Sequence, residues 1–180
     1  MIVDQRSSSG CVVETSDWSR LPAEPKVSVL MLAYNHEPYL REAIEGVLAQ
    51  DVAFPIELVI AEDCSTDATL NIALDYQRRF PGIIRVLAHG QNVGMHRNHR
   101  DAVDHCRGEF IAYCEGDDYW TAVDKLSSQV AMFGDDVSVG VVHSDFDRLI
   151  WTVREQIIHQ EVRRKSGFIV PEGDVLDALF

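Results

Sequence analysis

The sequence lacks the features that would tie it to several large protein classes. It contains neither a Gly-x-Gly-x-x-Gly fingerprint nor a P-loop, so a dinucleotide-binding or ATP-hydrolysing site loses its main support. Basic residues are scarce: 16 Lys and Arg stand against 29 Asp and Glu, a net charge of −13. A general polyanion binder needs a basic face, so nucleic acid and anionic membrane surfaces are not expected as partners. The 4 cysteines, Cys11, Cys64, Cys106 and Cys114, form no C-x-x-C pair. That spacing removes the usual zinc and redox motifs and leaves reduced, structural thiols as the expectation. No stretch approaches the roughly 18 apolar residues of a membrane span. The N-terminus mixes Asp4, Arg6, Glu14 and Asp17 with serines instead of building a signal-peptide core. A cytoplasmic chain without an integral membrane segment is therefore expected.

What is present suffices for one folded domain: 180 residues, of which 46% are hydrophobic. Residues 1–25 end in Leu21-Pro22-Ala23-Glu24-Pro25 and show no periodicity, which predicts a flexible lead-in to a domain over 26–180. From Lys26 onward short apolar runs alternate with helical spacing. Val27–Ala33, Leu58–Ala61, Ile83–Ala88 and Phe110–Cys114 read as strands. Pro38–Gln50 and Met95–Cys106 read as helices, the latter with Met95, Ala102, Val103 and Cys106 inward. Between them Ser65-Thr66-Asp67 opens a helix with Thr69, Ile72, Ala73, Tyr76 and Phe80 on one stripe, and Pro81-Gly82 stops it. Further on, the pattern predicts a helix through Ala122, Leu126, Val130 and Phe133 and a strand over Val137–Val142. Extended structure within 146–170 and a helix over Asp174–Phe180 complete the expectation. The fold class is α/β, with a mostly parallel sheet covered on both faces, and ligands of such sheets bind at the strands' carboxyl ends.

The segments after each strand therefore carry the functional argument. Ala33-Tyr34-Asn35-His36-Glu37 offers Tyr34 to stack on a base or cover a ribose, although an aromatic there more often packs. In Glu62-Asp63-Cys64-Ser65-Thr66-Asp67, Asp63 can accept a base N–H or ribose hydroxyls or merely cap the helix, and Asp67 reads as a cap. Gln91–Asn98 is a Gly-containing turn whose free N–H groups and Arg97 suit phosphate, or an ordinary loop with a solvated arginine. His96 and His99 lack a third ligand at zinc spacing and are expected to face solvent. Glu115-Gly116-Asp117-Asp118-Tyr119-Trp120 is the most informative segment. Three carboxylates within four residues raise one another's pKa unless a cation sits among them. Mg2+ or Mn2+, held by one or two carboxylates and completed by substrate phosphates, resolves that repulsion. An acidic surface turn is the plain alternative.

In order and spacing, Val27–Asn35, Val59–Thr69, Asn92–Asn98 and Glu115–Trp120 resemble the glycosyltransferase family 2 domain of the GT-A fold, over about residues 26–145. The resemblance implies a Rossmann-like α/β/α sandwich. It also implies inverting transfer of a sugar from a nucleoside diphosphate sugar to an acceptor hydroxyl, with Mn2+ or Mg2+ as cofactor. It sets Ala33 and Tyr34 along the nucleotide, Asp63 at the base, Glu115 at the ribose, and Asp117 with Asp118 on the metal. A carboxylate at Asp63 favours a UDP-sugar, because uracil offers an N–H that cytosine lacks. Glu62 and Glu115 stand where the family commonly has Asp, and the longer reach of Glu115 ranks Asp117 above it as metal ligand. The catalytic base is unassigned: Asp145, Glu172 and Asp174 are the late carboxylates, and none lies in a recognised motif. The chain is accordingly expected to be truncated before an acceptor half, binding donor but transferring poorly. A nucleotide-sugar-binding module is the alternative. A nucleotidyltransferase is weaker, because no Gly- and Arg/Lys-rich loop follows the first strand.

Overall fold

Val27–Ala33 (β2) and Ile56–Glu62 (β3) are buried at every position, as strands covered on both faces must be. A computed structural model of the chain, described for residues 12–134, 139–144, 148–151 and 156–159, places them at the centre of one sheet. Its other strands are β1 (Val12–Thr15), β4 (Ile84–His89) and β5 (Phe110–Tyr113), in the order β1-β4-β3-β2-β5. β4, β3, β2 and β5 run parallel, and β1 pairs antiparallel with β4.

Three helices connect the parallel strands: α1 (Leu40–Leu48), α2 (Thr69–Arg79) and α3 (Met95–His105). α1 buries Leu40, Ala43, Ile44 and Val47, the i, i+3, i+4, i+7 stripe of an amphipathic helix. α2 buries Thr69, Ile72, Ala73 and Tyr76, and the Tyr76 hydroxyl donates to Glu45 Oε1 of α1 at 2.5 Å. On α3, Ala102, Val103 and Cys106 pack against Leu30, Leu32 and Ala61. Each fully buried aliphatic side chain contributes about 1.5–3 kcal/mol relative to exposure. β2, β3 and β4 step outward one way, and β5 returns to the far side of β2. Right-handed crossovers then place α3 on the face opposite α1 and α2. The point where the order reverses, between the carboxyl ends of β2 and β5, is where such sheets hold ligands.

The amino ends of the strands carry a buried ionic cluster. Glu57, fully buried, accepts from Ser28 Oγ at 2.6 Å, Arg107 Nε at 2.9 Å and Arg85 Nη1 at 3.2 Å. Burial works against its anion, but these donors outweigh that and hold the carboxyl below its ordinary range. Arg85 also donates to Glu14 Oε1 at 2.9 Å, and the guanidinium groups of Arg85 and Arg107 both lie against the Trp18 ring, 4.8 and 4.9 Å from its centroid. Thus part of the segment read as a flexible lead-in is an edge strand, recruited by contacts with Arg85 and β4 that no local periodicity announces. Gly108 is required here: a Cβ would lie 2.3 Å from Ser28 N.

Two other expectations are corrected. Met95 is exposed, and Asn98 faces inward instead, donating to Ala61 O at 3.0 Å. Asn98 already meets the end of β3, so Met95, a turn earlier, lies past the sheet. Residues 139–142 form no strand. Val141 is exposed and Gly140 has nothing near its Cβ position among the described residues, so the local β propensity finds no partner there. The chain divides into two units, 1–127 and 128–180, with helix α4 (Lys125–Phe133) across the boundary. The second contains the antiparallel pair β6 (Arg148–Trp151) and β7 (Gln156–His159), within the stretch read as extended. The expected helix Asp174–Phe180, together with Asp145, Glu172 and Asp174, lies outside the described residues. Among those described, no helix is long and apolar enough to cross a membrane.

Candidate functional site

Main-chain bonds bring three strand-end segments together at the order reversal. Asp63 N donates to Ala33 O at 3.0 Å, and Gly116 N donates to Leu32 O at 2.9 Å. The end of β2 is thereby flanked by the Asp63 loop on one side and the Glu115–Asp118 turn on the other. Tyr34 follows directly on the last residue of β2, with 44% of its surface exposed. Gly116 permits the close approach: a Cβ there would lie 2.8 Å from Leu32 O and 2.7 Å from His36 Nδ1. That His36 nitrogen is buried and has no hydrogen-bond partner among the described residues.

Two carboxyls of the acidic turn, Glu115 and Asp118, are shifted upward, chiefly by burial and then by like charge. Burial pushes the Glu115 carboxyl above its ordinary range, and the charges of Asp117 and Asp118 add to the shift. Asp118 is raised by burial and by Asp117, with His36 opposing. Asp118 N donates to Glu115 O at 3.0 Å, closing the turn. Among the described residues, no three His, Cys, Asp or Glu side chains are grouped so that they could hold a metal ion by themselves. The hard carboxylate oxygens of the turn are the donor type that an oxygen-preferring divalent ion takes, one or two at a time, when substrate phosphates supply other ligands.

Asp63 is only 3% exposed, and its two oxygens accept from Val93 N at 2.7 Å and Gly94 N at 2.9 Å. Asn92 Nδ2 donates to Asp63 O at 3.1 Å. Asp63 therefore clamps the loop before α3 and does not cap α2. Gly94, at φ 82°, turns that loop into α3. Arg97 is exposed in the first turn of α3, its Nε 3.7 Å from Asp101 Oδ2. His96 is exposed, whereas His99 is half-buried and stacks on Tyr113 at 5.7 Å, so the expectation of a solvated pair holds for His96 alone. Asp67 serves the start of α2, accepting from Thr69 N at 2.9 Å.

Sequence reasoning did not foresee the structural roles of several residues at this site. Glu62, fully buried, accepts from Ser65 N at 2.6 Å and Cys64 N at 3.2 Å, folding its own loop. Asn35 and Cys64 adopt left-handed backbone, φ 56° and 58°. An asparagine immediately after a buried strand was the available signal for the first, since Asn tolerates that region.

Comparisons with known proteins agree with one another. The family model described as "Glycosyl transferase family 2" matches residues 28–174. An uncharacterised protein of Mycobacterium tuberculosis is 47% identical over 104 residues, which cover 58% of this chain and 30% of that protein. The putative glycosyltransferase EpsE of Bacillus subtilis is 36% identical over 107 residues, covering 59% of this chain and 38% of EpsE. The chain thus spans about a third of the length of these relatives. Among solved structures, the mannosyltransferase PcManGT of Pyrobaculum calidifontis, in complex with GDP-Man and Mn2+, aligns with a TM-score of 0.59 and 26% identity. The alignment covers 65% of this chain and 34% of that one. TarS of S. aureus aligns with a TM-score of 0.54 and 27% identity over 69% of this chain and 24% of its own.

Proposed function

The chain belongs to glycosyl transferase family 2, and from that membership we propose that it binds a UDP-sugar with Mn2+ or Mg2+ and serves inverting transfer of the sugar to an acceptor hydroxyl. The observation that carries the reading is the acidic turn Glu115–Asp118 at the order reversal of the sheet, with two carboxyls raised by burial and like charge. Support also comes from PcManGT, whose structure holds GDP-Man and Mn2+.

Asp117 and Asp118 would hold the ion, which when bound offsets the charge on the departing diphosphate. Tyr34 and Ala33 line the nucleoside. Asp63 offers the second lone-pair direction of its oxygens to the uracil N–H, and Glu115 takes the ribose hydroxyls. The N–H groups at the start of α3, with Arg97, face the phosphates. The deprotonating carboxylate for the acceptor is unassigned, with Asp145, Glu172 and Asp174 as its candidates.

Calorimetry with UDP, GDP and CDP, each with manganese or with chelator, tests the reading. UDP is expected to bind best, with manganese required, and Asp117→Ala to remove most of the manganese-dependent part. Equal affinities with and without chelator, in wild type and variant alike, would sink the metal assignment. Release of nucleoside diphosphate from UDP-sugars, followed with and without saccharide acceptors, separates a transferase from a module that only binds donor.

A further inference from the structure

The loops after β2 and β3 are joined by six hydrogen bonds that pass through side chains. Asn35 N donates to Ser65 Oγ at 3.0 Å, while Asn35 Oδ1 accepts from Thr66 N at 2.9 Å and Thr66 Oγ1 at 3.2 Å. His36 N donates to Thr69 Oγ1 at 2.8 Å. Glu37 N donates to Asp67 Oδ2 at 3.1 Å, and Ala68 N returns a bond to Glu37 Oε2 at 3.0 Å. Three of the six belong to Asn35, which is also the residue in left-handed backbone. Its φ of 56° reverses the chain immediately after Tyr34.

From this we infer that Asn35 is a positioning residue for nucleoside recognition: it sets the direction of Tyr34 and the spacing between the Tyr34 and Asp63 walls of the slot. The inference rests on the nucleotide-sugar reading above. Two properties of one side chain act together. Asparagine tolerates the left-handed region that most residues avoid, and its amide oxygen takes two donors from the facing loop. Alanine has neither property, glycine has the backbone freedom alone, and aspartate keeps both. Asn35 is exposed and the bonds it makes lie at the loop surface, so losing them moves the slot without opening the buried core. The phosphate end, built from the acidic turn and the start of α3, shares none of the six bonds.

The test separates the two ends of the ligand. Calorimetry in manganese compares UDP with inorganic pyrophosphate for wild type, Asn35→Ala, Asn35→Gly and Asn35→Asp, with melting temperatures measured on the same samples. Asn35→Ala is expected to weaken UDP binding about tenfold, the effect of losing roughly one net hydrogen bond, and to leave pyrophosphate unchanged. Asn35→Gly should fall between, and Asn35→Asp should restore most of the affinity. UDP binding unchanged in Asn35→Ala, or UDP and pyrophosphate weakened in equal proportion, overturns the inference. A wild-type chain that binds no nucleoside diphosphate overturns the functional reading and the inference with it.

Discussion

Glu115 and Asp118 keep their protons to higher pH than ordinary carboxyls, because burial and the neighbouring Asp117 both disfavour the anion. The folded chain therefore binds more protons than the unfolded chain just above the ordinary carboxyl range. The stability from this difference is present below the unfolded pKa values and lost as pH rises through the folded ones. A cation removes that penalty. Adding manganese should accordingly raise the melting temperature at pH near 7 by more than at about pH 4, where ordinary carboxyls are half protonated. Asp118→Asn should raise the metal-free melting temperature at neutral pH. Equal manganese shifts at both pH values would count against the assignment. Asp63 makes a separate prediction. Asp63→Asn sets an amide N–H against a main-chain N–H at Val93 or Gly94, at a cost of about 1–3 kcal/mol. Calorimetry should show all nucleoside diphosphates weakened and the margin of UDP over CDP narrowed. A margin equal to wild type would mean that Asp63 acts through the loop alone. The acidic turn was legible in the sequence because residue identity alone supplies its charge. The clamp at Asp63 and the roles of Glu62 and Asn35 were not, because they depend on which distant main-chain groups arrive beside them.

The elements that the sequence announces are those whose burial repeats locally. β2, α1 and α2 follow from apolar periodicity; the structure places β2 and α1 within two residues of expectation, while α2 begins at Thr69, after the Ser65–Asp67 segment expected to open it. β1 follows a different rule: Glu14 meets Arg85 71 positions away, so its docking is written in charge complementarity across the sheet. The same cluster makes Glu57 a structural test. Glu57→Gln would leave the buried Arg85 and the half-buried Arg107 with their central counter-charge gone, and loss of one partner in a buried pair typically costs about 3–5 kcal/mol. Urea unfolding should show a loss of that order. A loss below about 1 kcal/mol would mean that solvent compensates the arginines. Since the Glu57 carboxyl is held below its ordinary range, its stabilisation is present above the unfolded pKa and disappears as pH falls through the folded one. Two of the cysteines agree with a structural role: burial pushes Cys106 up to about 11 and Cys114 up to about 12, so both stay protonated at neutral pH, while Cys11 lies outside the described residues.

A chain with a net charge of −13 attracts divalent cations and repels free nucleotide over distances comparable to the screening length. Raising salt from about 20 mM to about 200 mM should weaken manganese binding severalfold while leaving metal-free UDP affinity unchanged or slightly improved. If UDP binding without metal falls steeply with salt, a cationic phosphate site dominates and the acidic turn is secondary. The chain spans about a third of its curated relatives, so these measurements address donor binding first. On the proposed reading, the seam between the loops after β2 and β3 also bears on how quickly the site fills. Its bonds form when the chain folds, so an arriving nucleotide would meet walls already in place and spend no binding energy on assembling them. Stopped-flow mixing should then give a single phase whose rate climbs linearly with UDP concentration, with no plateau marking a closing loop. Differences among nucleobases would appear in how long each stays, because the walls that admit them are the same for all.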